Sequence, residues 1–146
     1  MHLMRLTAFS DYSLRVPIYL AAAPETRSTI ADIASAFGIS EHHLVKVVQL
    51  LGREGILLNT RGRKGGVQLA RPAGEINVGQ VLRLTEGRDL PAECFDPETN
   101  SCMLAGGCGL QRILKEAVEK FYAALGQYSV ADLRASPRKI ALLLRR

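Results

Sequence analysis

Two short apolar stripes with helical spacing, separated by only three residues, constrain the fold of this chain more than any other feature. The first stripe follows Thr29 and Asp32, which have the spacing of a capping box, and it stops at Gly38, a good helix terminator. The second stripe follows Ser40, a good N-cap residue. Two short helices joined by so tight a connection predict a helix-turn-helix. The apolar positions are Ile30, Ile33, Ala34 and Phe37, then Leu44, Val47, Val48 and Leu51.

A cationic, glycine-rich segment follows the second of these helices. It lies between two short strand-like runs, Ile56–Leu58 and Val67–Leu69, and contains Arg61, Arg63 and Lys64. The pattern predicts a hairpin with a flexible cationic tip. Its glycines allow close backbone approach, and cations suit the narrow, negative minor groove of DNA. The order of elements therefore predicts a winged helix-turn-helix.

The outward face of the second helix is polar and is the predicted recognition surface for DNA. Ser40, His42, His43 and Lys46 lie at its start, where recognition helices contact base edges. Adjacent helical residues point about 100° apart, so His42 and His43 are poorly placed to bind one metal ion. For the two histidines, DNA contact and solvated surface remain the two interpretations.

Length and charge agree with a globular protein that binds a polyanion. The 146 residues carry 19 Lys and Arg against 14 Asp and Glu, a net charge of +5, which favours nucleic acid first and an anionic membrane surface second. A spanning helix needs about 20 apolar residues, and the longest uncharged apolar run, Val16–Pro24, is much shorter. Asp11 and Arg15 also interrupt any secretory signal. We expect a cytoplasmic protein without a membrane partner.

Two further helices complete the predicted DNA-binding lobe. The first covers Ser10–Ala23 and contains Pro17, which predicts a kink or a late helix start. The other lies between Pro72 and Arg88 and is expected to pack on the wing.

The most regular periodicity of the chain predicts a long dimerisation helix from Leu110 to Gly126, roughly 25 Å at 1.5 Å per residue. Its apolar stripe is expected to pair with a second copy of the chain. A cap at Ser129 and Asp132 and an apolar tail at Ile140–Leu144 follow. The predicted divisions are a DNA-binding domain (1–86), a cysteine-containing loop (87–109) and a dimerisation segment (110–146). The stripe consists of Leu110, Ile113, Leu114, Ala117, Val118, Phe121, Tyr122 and Leu125.

The loop holds all three cysteines, Cys94, Cys102 and Cys108, separated by seven and then five residues. Thiolates are ligands for zinc and for iron-sulfur clusters. A structural zinc site normally has two ligands about two to four residues apart, and neither gap here is so short. The spacing therefore favours a cluster with three protein thiolates, which leaves one iron for another ligand. Zinc, thiol redox chemistry and simple apolar burial are the alternatives.

No signature of catalysis occurs in the chain. The sequence lacks a nucleophile elbow, a phosphate-binding Walker loop and a dinucleotide fingerprint. The glycines after Arg61 belong to a predicted hairpin tip rather than to the start of a helix. We therefore expect no enzyme. A dimeric DNA-binding module with structural cysteines is the competing interpretation.

Several segments together resemble a known family of regulators. They are MRLT at 4–7, DYSLR at 11–15, RGRKGGV at 61–67, the three-cysteine loop and YSVADL at 128–133. The chain resembles, over nearly its whole length, the iron-sulfur winged-helix regulators of the IscR/NsrR/RirA type. Its His43–Lys46 and Asp11–Tyr12 segments resemble the nitric-oxide-sensing branch, whereas the cysteine spacing also resembles the iron-responsive branch.

The resemblance implies a homodimeric repressor of operator DNA. Each cluster would lie on Cys94, Cys102 and Cys108 of one subunit, with Asp11 of the partner subunit as the candidate fourth ligand. A four-iron, four-sulfide cluster is favoured over a two-iron one. Nitric oxide is the implied signal, and loss or nitrosylation of the cluster would release the DNA. An iron- or redox-responsive regulator, or a zinc- or thiol-based one, is the alternative. Pro17 departs from the apolar residue expected there, and a kink would move the Asp11 carboxylate.

Overall fold

A computed structural model describes residues 5–22, 24–86, 91–133, 136, 138, 139 and 142. They form five helices and one small antiparallel sheet, which confirms the expected mainly α fold with a β wing. Of the predicted apolar tail only Leu142 is described, and it is exposed. The remainder of that tail and loop residues 87–90 lie outside the described residues. The helices are α1 (Ala8–Ala22), α2 (Ile30–Phe37), α3 (Glu41–Arg53), α4 (Val78–Glu86) and α5 (Gly109–Leu125), and the strands are β1 (Leu57–Thr60) and β2 (Gly66–Leu69).

Helices α2 and α3 form the predicted helix-turn-helix. The capping box of α2 is present, since the Thr29 N–H donates to Asp32 Oδ2 over 2.8 Å and the Asp32 N–H donates to Thr29 Oγ1 over 3.1 Å. These hydrogen bonds, the backbone one first, lower the pKa of Asp32 below its ordinary value. The helix ends at Gly38, whose φ of 65° is left-handed. Both boundaries are therefore set by local sequence.

The cap predicted at Ser40 is only half correct. Ser40 occupies the N-cap position of α3, but its side chain makes no capping hydrogen bond. Its carbonyl accepts the N–H of His43 at 3.1 Å and of Leu44 at 3.3 Å. The burial of Leu44 against the core, rather than a side-chain cap, holds the start of α3.

The wing contains one more chain segment than the sequence predicts. Strands β1 and β2 pair in antiparallel register from Leu57 opposite Leu69 to Thr60 opposite Gly66. Ser28, between α1 and α2, pairs with Val67 on the other side of β2 through two backbone hydrogen bonds of 3.1 and 2.7 Å. The start of α2 is thereby attached to the wing.

The core lies between α1, the helix-turn-helix and the wing. Val16 of α1, Ile33 of α2 and Leu51 of α3 are fully buried in it. Val130, which follows α5, is fully buried in the same cluster, so the chain beyond α5 packs against the DNA-binding lobe. The predicted cap there is present, since the Ser129 N–H and hydroxyl both donate to Asp132 Oδ2.

Of the two outcomes expected from Pro17, a kink or a late helix start, the late start is not observed, because α1 begins at Ala8 and contains buried Pro17. The expectation that α4 packs on the wing is wrong. Helix α4 packs chiefly on α1 and α5, and its buried side chains include Val78, Val81 and Leu82. None of the described helices is long and apolar enough to cross a membrane.

Helices α4 and α5 meet backbone to backbone. A Cβ atom added at buried Gly79 would lie 2.7 Å from both the Tyr122 carbonyl oxygen and the Gly126 nitrogen. Asn77 Nδ2 donates to the Gly126 carbonyl at 2.6 Å, and the Val78 N–H donates to the Tyr128 carbonyl at 2.9 Å. The α4–α5 junction therefore fixes the long helix relative to the DNA-binding lobe.

Candidate functional site

The exposed face of α3 carries the polar residues predicted to read DNA. Burial of Leu44, Val47, Val48 and Leu51 on one side leaves Ser40, His42, His43 and Lys46 exposed on the surface. The His42 and His43 ring centroids lie 6.2 Å apart and the rings are tilted by 53°. The structure therefore places all four candidates on the solvent side of one helix.

Tyr12 of α1 supports this face and was not among the predicted DNA-binding residues. Its ring centroid lies 6.4 Å from that of His43 at an interplanar angle of 31°. Sequence patterns give no sign of this contact, because the two residues are far apart in the chain. The contact restricts where the His43 imidazole points.

The wing tip carries Arg61, Arg63 and Lys64, all exposed. The turn that presents them is closed by the Gly65 N–H, which donates to the Gly62 carbonyl at 2.9 Å. A Cβ atom at Gly65 would collide with backbone atoms of Thr60 and Gly62, so only glycine fits there. The predicted cations thus lie on a short turn that requires glycine at position 65.

The three cysteines are free thiols on a turn-rich loop, and each is half-buried. Cys94 lies in the 3-10 turn Glu93–Phe95, and its carbonyl accepts Gln111 Nε2 of α5 at 2.8 Å. The Cys102 N–H donates to Asn100 Oδ1 at 2.9 Å. Cys108 is the N-cap residue of α5, where the positive end of the helix dipole favours an anion. Two of the three thiols are thus positioned by α5.

Cys94 and Cys108 line one open groove of about 1010 Å³, which we call the cysteine groove. Cys102 is not among its lining residues. Gly106 and Gly107 lie along it, and Cβ atoms added to them would meet nothing within 4 Å, so the groove has room for a bulky group. Its other lining residues include Arg83, Glu86, Phe95, Gln111, Lys115 and Tyr122.

Thiolates are ligands both for single metal ions and for iron-sulfur clusters. Among the described residues, no three His, Cys, Asp or Glu side chains are arranged to hold one metal ion. A cluster does not need that arrangement, because each thiolate binds a different iron. Two free thiols at a groove with unfilled space, and a third on the same loop, agree in donor chemistry with such a group.

Asp11 lies in a different groove from the cysteines. Its Oδ2 pairs with Arg15 Nη2 at 2.7 Å, with both side chains about 40% exposed. The Arg15 guanidinium also lies 5.9 Å from the Tyr12 ring centroid and 5.8 Å from that of Phe37. Asp11 lines a groove with Phe37 and Ile39, so the described structure does not bring it to the cysteines of its own chain.

No residue of the predicted dimerisation stripe is buried within the chain. Leu110 and Ile113 are 61% and 55% exposed, and Ala117 is also exposed. Leu114, Val118, Phe121 and Leu125 are half-buried, and Phe121 packs edge-on against Tyr122 at 5.3 Å. The side of α5 that carries Leu110 and Ile113 therefore presents apolar surface to the solvent.

Tyr122 lies on the side of α5 that faces its own subunit. The Arg83 guanidinium of α4 stands 4.4 Å from the Tyr122 ring centroid and forms two hydrogen bonds, of 3.1 and 2.9 Å, with the Glu119 carboxylate. These hydrogen bonds hold the pKa of Glu119 below its ordinary value. The stripe thus divides between an exposed side and a side that packs toward α4.

Comparison with known proteins decides the family. A family model described as Rrf2, iron-dependent transcriptional regulator, matches residues 6–136. This chain belongs to the Rrf2 family. The match confirms the resemblance to iron-sulfur winged-helix regulators and the expectation that the protein is not an enzyme. This Rrf2 protein is a DNA-binding transcriptional regulator.

Relatives within the Rrf2 family extend over nearly the whole chain. The HTH-type transcriptional regulator NsrR of Bacillus subtilis is 42% identical, covering 97% of this chain and 98% of the relative. NsrR of Geobacillus kaustophilus is 45% identical over 94% and 96%. Among solved structures, oxidised CymR of Staphylococcus aureus matches with a TM-score of 0.71 at 23% identity, over 91% of this chain and 98% of that one. The likeness to CymR supports the fold alone.

Proposed function

We propose that this Rrf2 protein is a homodimeric repressor that senses nitric oxide through an iron-sulfur cluster and releases its operator when the cluster reacts. The observation that carries the proposal is the cysteine groove, because it combines free thiols with unfilled space next to the junction that holds α5. The relatives at 40 to 45% identity that are named NsrR support the same branch.

Cys94, Cys102 and Cys108 would hold the cluster, which when bound supplies iron atoms that react with nitric oxide. Cys94 is tied to α5 by Gln111, and Cys108 begins α5. A change in the positions of these thiols therefore acts directly on the long helix. The α4–α5 junction relays it to the DNA-binding lobe, since Gly79 and Asn77 leave α4 little freedom to move separately.

The fourth ligand in this proposal is Asp11 of the partner subunit. Within one chain Asp11 lines a different groove from Cys94 and Cys108, and it is exposed enough to meet a second subunit. Its carboxylate must then exchange the ion pair with Arg15 for iron. An exposed ion pair is worth only about 0.2 to 1 kcal/mol, so this exchange is inexpensive. Asp11 would thus connect α1 of one lobe to the cysteine loop of the other.

The DNA contacts follow from the exposed polar faces. The residues at the start of α3 would reach base edges in the major groove, and Arg61, Arg63 and Lys64 would bind phosphates and the minor groove. Pairing of two chains along the exposed apolar side of α5 would set the separation of the two recognition helices. Half-sites lie about 34 to 36 Å apart or multiples of this, so a small change in separation weakens both contacts together.

An iron-responsive regulator is the second candidate, because the matching family model is described as iron-dependent. The two candidates share the cysteines and differ in signal. Iron limitation would empty the site in this second case, whereas nitric oxide would act on an intact site in the first.

Anaerobic purification, followed by analysis of iron and sulfide per subunit, tests the cluster. We expect a brown protein with both elements, and Cys94→Ala, Cys102→Ala and Cys108→Ala variants that are colourless. Ser101→Ala, in the same loop, is the matched control and should stay brown. A colourless wild-type protein that contains zinc would contradict the proposal.

A second experiment on the brown protein distinguishes the two candidate signals. Nitric oxide should change the absorbance of the cluster at once, whereas an iron chelator should change it slowly. The reverse order would favour the iron-responsive regulator.

A further inference from the structure

Arg27 connects the turn between α1 and α2 to the wing tip, and none of the predicted DNA contacts includes it. Its Nε donates to Gln68 Oε1 of β2 at 3.2 Å, and its Nη1 donates to the Lys64 carbonyl at 3.1 Å. Arg27 is exposed. Its side chain therefore spans the surface of the wing from strand to tip.

The backbone around Arg27 is fixed in place by the sheet. The neighbouring Ser28 pairs with Val67 through two backbone hydrogen bonds. Gly66 allows this approach, because a Cβ atom there would lie 3.1 Å from the Ser28 carbonyl oxygen and 3.2 Å from Arg27 Cβ. The position of Arg27 beside the wing is thus built into the fold rather than being a chance side-chain contact.

Arginine is suited to this position in a way that lysine is not. A guanidinium has five N–H donors in a rigid plane, and the two hydrogen bonds to the wing use two of them. Three donors remain, and within the described part of the chain they have no partner. They lie next to the tip that carries Arg61, Arg63 and Lys64. An exposed arginine with free donors in a cationic cluster is a typical phosphate ligand.

We propose that Arg27 is a positioning residue of the DNA interface, which holds the wing tip through Lys64 and Gln68 and adds a fourth phosphate-binding cation beside it. The inference rests on the proposed contact of the wing with DNA. It extends that contact to a residue between α1 and α2, so that the start of the helix-turn-helix and the wing bind the DNA backbone as one unit.

Two variants separate the hydrogen bonds of Arg27 from its charge. Arg27→Ala removes both, whereas Arg27→Lys keeps the charge and loses the planar pair of donors. Gln68→Ala removes one hydrogen-bond partner without changing the charge. Lys139→Ala, an exposed position beyond α5, is the control for loss of one positive charge outside the wing.

Binding of each full-length variant to mixed-sequence duplex DNA is measured over a range of salt concentrations by fluorescence anisotropy. Arg27→Ala should weaken binding severalfold and reduce the slope of log K against log salt by about 0.9, the value for one phosphate contact. Arg27→Lys should keep the slope but bind more weakly than the wild type. Lys139→Ala should match the wild type. An Arg27→Ala protein with the wild-type slope would overturn the phosphate role.

Limited digestion with trypsin, in the absence of DNA, tests whether Arg27 fixes the wing tip through its hydrogen bonds to Lys64 and Gln68. Cleavage after Arg61, Arg63 and Lys64 should be severalfold faster in Arg27→Ala, Arg27→Lys and Gln68→Ala than in the wild type. Wild-type cleavage and DNA binding in Arg27→Lys would overturn the positioning role. A triple variant, with Arg61→Ala, Arg63→Ala and Lys64→Ala together, separates failure of the Arg27 proposal from failure of the proposed wing contact with DNA. An unchanged salt slope in the triple variant contradicts the wing contact itself. A reduced slope in the triple variant, with a wild-type slope in Arg27→Ala, contradicts the Arg27 proposal alone.

Discussion

Loss of a cysteine should affect the cluster more strongly than loss of Asp11. The cysteines concerned are Cys94, Cys102 and Cys108. Alanine at any one of the cysteines deletes a strong thiolate ligand, and two thiolates should not retain the cluster. We expect iron and absorbance to fall to background together with cluster-dependent DNA binding. The apo proteins should still fold, since all the fully buried residues of the core lie outside the cysteine loop. Circular dichroism provides that check.

Asp11→Ala should be milder, because three thiolates remain. The absorbance should largely survive, whereas operator affinity and the response to nitric oxide should change together, since the link between subunits is lost. Arg15→Ala is a useful companion, because it removes the partner of Asp11 in the ion pair but leaves the carboxylate. An Asp11→Ala protein identical to the wild type in spectrum, operator binding and nitric oxide response would show that Asp11 is no ligand.

The wing and α3 should contribute differently to DNA binding. Neutralising Arg61, Arg63 and Lys64 should weaken binding to all sequences, with the salt slope reduced by about 0.9 for each phosphate that the wing no longer binds. Alanine at His42, His43 or Lys46 should instead change the preferred sequence, at about 1 to 3 kcal/mol for each base that α3 no longer reads. Selection of binding sites from a random duplex pool measures the sequence preference, and a salt titration measures the slope. A wing variant that changes sequence preference but not salt slope would contradict this division.

At the scale of secondary-structure elements, the close contact between α4 and α5 depends on the lack of a side chain at Gly79. Gly79→Ala inserts a Cβ within 2.7 Å of backbone atoms of α5, and over-packing of this kind costs about 1 to 3 kcal/mol. Gly74→Ala is the matched control, because nothing lies within 4 Å of a Cβ there. Thermal unfolding should show a lower Tm for Gly79→Ala only. Equal Tm values for the two variants would mean that α4 and α5 can separate freely.

A charge placed on the exposed apolar side of α5 should prevent dimerisation. Ile113→Lys puts an ammonium group into the proposed interface, and we expect a loss of at least about 2 kcal/mol of dimer affinity, typical of a central interface residue. Ala123→Lys adds the same side chain to an exposed position on the side of the helix that carries Arg112 and Glu119. Analytical ultracentrifugation should find monomers for the first and dimers for the second. A dimeric Ile113→Lys protein would place the interface elsewhere.

At the scale of the whole molecule, local sequence predicts the elements but not their contacts. The Thr29–Asp32 capping box, the left-handed Gly38 and the glycine-rich wing were predictable, because each depends on residues within a few positions of one another. The packing of α4 on α1 was not, since an apolar stripe does not specify which element covers it. The contact between Arg27 and Lys64 joins distant segments, and no local pattern signals it. The sequence predicts the three cysteines as candidate ligands, but it does not show that Asp11 lines a different groove from Cys94 and Cys108.

The proposed function depends on one coupling, between the state of the cluster and the affinity for DNA. The most direct measurement is an anaerobic titration of the cluster-loaded dimer with nitric oxide, in which absorbance and binding to a duplex selected by the protein are recorded in the same sample. We predict that the two signals change over the same range of nitric oxide and that DNA is released as the cluster reacts. DNA that remains bound with unchanged affinity after the cluster absorbance has gone would contradict the account.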